Sequence, residues 1–359
     1  MATYQGILLS KSPFYVVEAI NSGATSVMEI RIWNGDFNTE PVDATYSLSK
    51  QAISPSTTNV SFEIARIIND SLEHNSTIYT DSSSGKTEAL WVNVKTFNGD
   101  SNRDDTWLVL DAYSDFINGL NSTISDVVLI SERILYHYPN IPLRFPVYCD
   151  GTSNANYVTF RNGTTEIFTE SLISYINSDN SYDKIQYINY LNTGQTVNNV
   201  VIKNNVGTII DTIVIIPMEC SMYDESVIGF VNRFGVNQEF VFNMKFKSRL
   251  NIDKKTYNRQ TLIYVNGVPS YNTTKHVYND FNTNLRESFT LNTNYIDESL
   301  NDTIGQLISS EYVWLRIGEN SYPVNVKTSN LEYKKTINDN LIQYTINFEY
   351  AFDKRNNIY

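Results

Sequence analysis

Histidine and cysteine are scarce in this 359-residue chain, and that scarcity closes off much chemistry. The three histidines, His74, His137 and His276, form no pair at i, i+3 or i+4, and none adjoins a cysteine, so the ligand spacings of a zinc site are missing. Cys149 and Cys220 stand far apart without a Cys-x-x-Cys partner, and two reduced thiols are expected rather than a disulfide framework. No run approaches the ~18 apolar residues of a membrane-spanning helix. The start, Met1-Ala2-Thr3-Tyr4-Gln5, lacks the charged region and apolar core of a secretory leader. The chain is expected to be made and kept in a cytoplasm, or released without a signal, with sequons such as Asn75-Ser76-Thr77 and Asn162-Gly163-Thr164 arising by chance. Positive charge is also short. There are 27 Lys and Arg against 39 Asp and Glu, a formal net charge of −12, which argues against tight, sequence-specific binding of nucleic acid.

Catalytic motifs are missing too. There is no G-x-S-x-G, no phosphate loop and no dinucleotide fingerprint. Carboxylate pairs such as Asp111 with Asp115, or Glu219 with Asp224, are what any chain with 39 acids offers, so they do not point to a glycosidase. Asp100-Ser101-Asn102-Arg103-Asp104-Asp105, with Asp111 at the twelfth position, alternates oxygen ligands as a calcium loop does. Asp105 stands where glycine is required and Asp111 where glutamate is, so a solvated acidic turn is the expectation. No catalytic residue, no metal and no cofactor is expected, and the chain is read as non-enzymatic.

What the chain does have is 25 Tyr, 17 Phe and abundant Val, Ile, Thr and Asn, a bias toward strands joined by polar turns. Its last stretch is the most legible. Ile296, Leu300, Ile304, Leu307 and Ile308 fall at helical spacing behind Asp297-Glu298, acids that suit the positive end of a helix dipole, and predict a helix at about 297–309. Strands are expected over Tyr312 to Ile317 and Val324 to Tyr333. Ile342, Tyr344, Ile346, Phe348, Tyr350 and Phe352 then alternate with polar residues, which marks a strand with one buried face. With Asn338-Asp339-Asn340 as its turn, this makes a closing hairpin at 327–352.

The length suits two or three domains. Residues 1–97 read as a β-sandwich of immunoglobulin or fibronectin type III layout, with strands at Met28 to Trp33, Thr45 to Leu48, Asn59 to Ile64 and Leu90 to Val94 and a short helix through Ile64, Ile67, Ile68 and Leu72. Residues 98–217 read as a second β-rich domain. Hairpins are expected at Asn162-Gly163 and at Asn204-Asn205-Val206-Gly207, and 170–190 is ambiguous between strand and helix. Residues 218–359 read as a β-rich, α+β module. In it Phe240, Phe242, Met244 and Phe246 alternate along one strand, followed by a less regular segment, Asn251 to Asn294. The fold class is thus mainly β.

Three segments resemble virion structural proteins of tailed bacteriophages that infect Bacteroidetes, the crAss-like phages among them. They are Ser12-Pro13-Phe14-Tyr15 with Met28–Trp33 and Val60-Ser61-Phe62-Glu63-Ile64; Phe230-Val231-Asn232-Arg233-Phe234-Gly235 with Phe240-Val241-Phe242; and Leu291–Tyr295 with Ser310–Trp314, Pro323–Lys327 and Phe348–Phe352. The resemblance spans about half the chain and matches nothing at 120–215. It implies a ring-forming neck or tail component lining or surrounding the DNA conduit, located in the virion and assembled in the host cytoplasm. Its partners would be itself, in a cyclic homo-oligomer of six or twelve copies, and other neck and tail proteins. Abundant Tyr suits interface cores, and an acidic wall would keep passing DNA from sticking. The alternative is a receptor- or carbohydrate-binding tail adhesin, which Tyr and Trp would suit by stacking on sugars, although trimeric fibre repeats are missing. A glycan hydrolase is a third class, poorly supplied with motifs.

One basic cluster stands out in this acidic chain: Lys245, Lys247, Arg249, Lys254, Lys255 and Arg259. Lys245 and Lys247 are expected on the polar side of the Phe240–Phe246 strand, and Arg249 to Arg259 in a loop with few apolar residues. Such a segment suits docking on an acidic surface of an adjoining subunit.

Overall fold

The computed structural model describes residues 3–52, 59–74, 88–97, 102–139, 141–148, 155–172, 185–191, 196–218, 223–318, 320–333 and 341–355. Cys149, Cys220, Asp100, Ser101, Ile173–Ile176 and the Asn338–Asn340 turn lie outside the described residues. The fold is mainly β, built from several sheets.

Near the N-terminus a six-stranded sheet runs in the order Tyr46–Gln51, Thr25–Trp33, Ala89–Phe97, Asp104–Leu110, Thr3–Leu9, Thr123–Ile124. Thr3–Leu9 lies parallel to Asp104–Leu110. Met28, Ile30, Val92, Val94, Trp107 and Val109 project to one face, covered by the ribbon Tyr15–Ala19 with Asn59–Glu63 and the short helix Ala65–Asn69. Ile7, Leu9, Trp33, Trp91, Leu108 and Leu110 project to the other, where Leu129, Ile185, Phe234 and Val236 from later in the chain meet them. Burial on both faces explains why Leu90-Trp91-Val92 reads as a continuous apolar run rather than an alternation. Residue 97 falls between two hydrogen-bonded strands of this one sheet, Ala89–Phe97 and Asp104–Leu110.

Further along, a five-stranded sheet (Thr165–Ser171, Tyr157–Asn162, Asn199–Lys203, Ile209–Pro217, Ile134–His137) faces the pair Leu143–Val147 and Gln186–Tyr190. Between them Phe145, Ile188 and Tyr190 pack on Val158, Phe160, Val200, Ile202 and Ile213. Both expected hairpins are present, with Gly163 and Gly207 at positive φ in their turns.

The largest sheet has seven strands: Asn237–Phe242, Ser226–Val231, Val313–Ile317, Asn320–Val326, Thr345–Tyr350, Tyr278–Asn292 and Lys247–Asn258. The helix Asn301–Ser309, entered through a 3-10 turn at Glu298–Leu300, lays Leu300, Ile304 and Leu307 against its apolar face. Asp297 caps that turn by accepting from the Ser299 amide at 2.9 Å. Ile342, Tyr344, Ile346 and Phe348 are buried as the alternation predicts, but Phe352 is exposed. The partner of the last strand is Asn320–Val326, not a strand running on to Tyr333, because the chain leaves the sheet after Val326. The strand expected through Phe246 ends at Phe242, and Phe246 is exposed and stacks on Phe289.

The segment read as irregular, Asn251 to Asn294, is the most extended part of the fold. Lys247–Asn258 and Tyr278–Asn292 pair antiparallel over their length, and Leu262–Val265 with Val268–Tyr271 forms a further hairpin between them. A strand with no core side carries no apolar alternation, which is why its sequence gives no period-two signal.

A candidate interaction surface

The base of this arm belongs to the large sheet, because Ser288–Asn292 pairs with Thr345–Glu349. Beyond Ser288 no further strand pairs with it among the described residues, and the Lys354 amide bonds the Leu285 carbonyl at 2.7 Å. At about 3.3 Å per residue the 12 residues Lys247–Asn258 alone reach on the order of 40 Å. Leu250 and Ile252 continue the face on which Phe289 is buried, so an apolar stripe runs from the core into solvent. Lys247 and Arg249 occupy the opposite face, across from Thr290 and Ser288. The register slips between Asp253 and Lys255, where Thr283 and Asn282 stand opposite Lys254 alone and Asn282 takes φ 49. Bulges of this kind increase strand twist.

All six sequence-predicted cations are exposed. Lys245 lies in the link between strands, while Lys247, Arg249, Lys254 and Lys255 are in the strand, so the loop expected over Arg249 to Arg259 is replaced by one edge of the arm. Arg259 follows it, its amide bonded to the Val277 carbonyl. The six therefore form a line rather than a cluster. Lys254 meets Asp280 across the arm at 2.9 Å. Between Lys245 and Arg259 the only acid is Asp253.

What sequence reading missed is that the arm is also apolar. Tyr257, Leu262, Ile263, Tyr264, Val265, Val268, Tyr271, Tyr278 and Phe281 are all exposed. A signal was present: Asn266-Gly267 between Val265 and Val268 is a two-residue hairpin turn, with φ of 52 and 79.

Away from the arm, buried polar contacts lock the three groups of sheets together. Asn232 Nδ2 donates to the Leu129 carbonyl (2.8 Å) and to Gln238 Oε1 (2.9 Å), and Gln238 Oε1 also accepts from the Ser131 amide at 3.1 Å. Glu239 accepts from Arg144 and from both terminal nitrogens of Arg316, joining the middle pair of strands to the large sheet. Asp111 accepts from Lys11 Nζ and His74 Nε2, each at 2.9 Å, and Lys11 also donates to Glu311. Asp111 is therefore a buried ion-pair partner rather than the end of a calcium loop, and Asp104 and Asp105 sit in a strand. Among the described residues no group of three or more His, Cys, Asp or Glu is placed to hold a metal ion. His137 is buried and His276 exposed.

Burial alone would raise the Asp111 carboxyl, but the hydrogen bonds from His74 and Lys11 hold it below its ordinary value. Its folded value being depressed, the stability it contributes is full above the unfolded carboxyl's range and is lost as pH falls through the folded value. Asp111→Asn is therefore expected to cost about 1–3 kcal/mol at neutral pH. The gap to the parent should narrow as pH falls below about 4, as denaturation midpoints over a pH series would show. A gap independent of pH would place the effect outside this ion pair.

No protein-family model matches the chain, and no curated protein matches it. The arrangement that calls for a function is thus the arm itself, a basic and apolar ribbon whose outer part pairs with no other strand among the described residues.

Proposed function

We propose that this chain is a non-enzymatic structural subunit of a bacteriophage virion, a neck or tail component that packs with copies of itself, and beside other virion proteins, into a cyclic ring around the DNA conduit. The observation that carries this reading is the arm. A two-stranded ribbon alone in water is marginally stable, and a long exposed edge with apolar side chains is an association site. Here the ribbon has exposed Leu250, Ile252, Tyr257 and Phe281 beside six cations, on a chain whose net charge is −12. Like subunits of that charge repel, and a basic ribbon lying on an acidic neighbour offsets the repulsion. On this reading 1–97, with Asp104–Leu110 and Thr123–Ile124 added to its sheet, is an immunoglobulin- or fibronectin-like sandwich, 98–217 is otherwise a second β-rich domain, and 218–359 is an α+β module from which the arm extends. The exposed Tyr264, Tyr271 and Tyr278 toward the arm's tip favour a second reading, an adhesin that stacks aromatic rings on a receptor sugar.

Single exposed ion pairs contribute ~0–1 kcal/mol, so assembly through the arm needs several and weakens as salt passes through the screening range. Lys254→Glu with Lys255→Glu should shift the oligomer toward monomer in size-exclusion chromatography with light scattering, and leave the melting of the isolated subunit unchanged. A double variant that assembles like the parent at low salt would remove the arm from the interface.

A further inference from the structure

A second exposed apolar feature has the opposite charge. The loop after Asp104–Leu110 carries Phe116, Ile117 and Leu120, exposed to 103%, 88% and 66%. It is built rather than loose. The Tyr113 amide bonds the Arg233 carbonyl at 3.0 Å and the Ser114 amide bonds Ser12 Oγ at 2.8 Å, which fixes its start. Asn121 fixes its end: its Oδ1 accepts from the Tyr15 amide at 2.7 Å, and its Nδ2 donates to the Tyr15 carbonyl at 2.9 Å. Between these anchors a 3-10 turn at Phe116–Asn118 and Gly119 at φ 73 hold the three apolar side chains outward. A chain that anchors a loop at both ends to present Phe, Ile and Leu to water presents them to a partner.

Charge indicates which partner. Between Tyr113 and Ser125 the one charged residue is Asp115, which is exposed, whereas Asp111 is buried against Lys11 and His74 and Asp126 pairs with Arg133. The loop has no Lys or Arg to offer a commonly anionic lipid surface. The arm has the complementary composition, six cations and one acid over Lys245 to Arg259, with Leu250 and Ile252 as its own apolar stripe. Both surfaces are exposed on the same chain, so neither covers the other in cis.

We infer that the Phe116–Leu120 knob of one copy docks on the arm of the next, the apolar side chains meeting the Leu250 and Ile252 stripe and Asp115 facing Lys254, which follows Ile252 on that face. This rests on the ring reading above and names the surface that receives the arm. Because two different patches meet, the contact is head to tail, the kind that closes into a ring or grows as a filament.

The test uses two full-length variants, each altered only at exposed positions. Phe116→Ser with Ile117→Ser disables the knob, and Lys254→Glu with Lys255→Glu disables the arm. Each alone is expected to stay monomeric in light scattering at concentrations where the parent assembles, a weakening of about tenfold or more. Mixed in equal amounts they should form a two-subunit species and stop, because each pair leaves one dead knob and one dead arm. Asp115→Lys, which keeps every apolar side chain, should weaken assembly in the parent and restore it in the arm variant. A knob variant that assembles like the parent overturns this docking while leaving the ring reading in place. A mixture that remains monomeric overturns the head-to-tail pairing. A parent that is itself monomeric throughout overturns the ring reading and this inference with it.

Discussion

Replacing Phe348 by Ala is expected to lower the stability of the chain by about 3–5 kcal/mol. Phe348 has no solvent exposure and sits in the last strand, between Asn320–Val326 and Tyr278–Asn292. Its ring stacks on Phe289 at 5.4 Å between centroids and meets Phe242 edge-on at 6.1 Å. Truncation removes the transfer free energy of the ring and leaves a hole that Ile346, on the same strand face, cannot reach across to fill. Phe289 loses its stacking partner at the point where the arm joins the sheet, so the base of the arm should loosen as well. Urea unfolding monitored by tryptophan fluorescence gives the loss directly. A variant as stable as the parent would mean that this face of the strand is not the buried one.

Gly235→Ala is expected to cost about 2–5 kcal/mol, the sum of a left-handed backbone and an overpacked contact. Gly235 has φ of +73, and a Cβ there would stand 2.5 Å from the Asp111 carbonyl carbon and 2.8 Å from the Ala112 nitrogen. Those neighbours are main chain and cannot swing aside as a side chain would. The turn Asn232-Arg233-Phe234-Gly235 is thus pressed against the end of Asp104–Leu110, and Phe234 reaches into the core shared with Trp91 and Leu108. The variant must lift this turn, which strains the Asn232 bonds and uncovers one face of the N-terminal sheet. Gly267→Ala separates the two contributions. Its φ of +79 is similar, but nothing lies within 4 Å of the added carbon, so only the backbone strain remains. Equal losses at the two positions in thermal unfolding would show that the close approach to Asp111 is absent.

The parts of the fold with one buried face were legible in the sequence. Met28 and Ile30, the Asn162-Gly163 hairpin, the helix behind Asp297 and the run from Ile342 to Phe348 lie where period and turn chemistry predict. Two kinds of strand were not. Those buried on both faces, such as Ala89–Phe97, lose their alternation to a second apolar layer contributed by residues more than thirty positions away. The arm loses its alternation for the opposite reason, because among the described residues no layer covers either side of its outer part. Its basic residues could be picked out by composition, but the strand that lines them up, and the apolar stripe beside them, are set by pairing with Tyr278–Asn292, partners some thirty residues downstream. The knob at Phe116 could not be recognised from an apolar count, since three bulky residues in a turn read equally as core. Only the anchors at Ser12, Tyr15 and Arg233 show that they face outward.

Ring formation is tested most directly by the purified full-length protein at low salt, imaged by negative-stain electron microscopy and weighed by light scattering. The account predicts closed rings of one size, with a mass that is an integral multiple of 41.1 kDa and falls as salt is raised. Monomers at every concentration and salt, or isolated elongated trimers of the kind an adhesin forms, would contradict it.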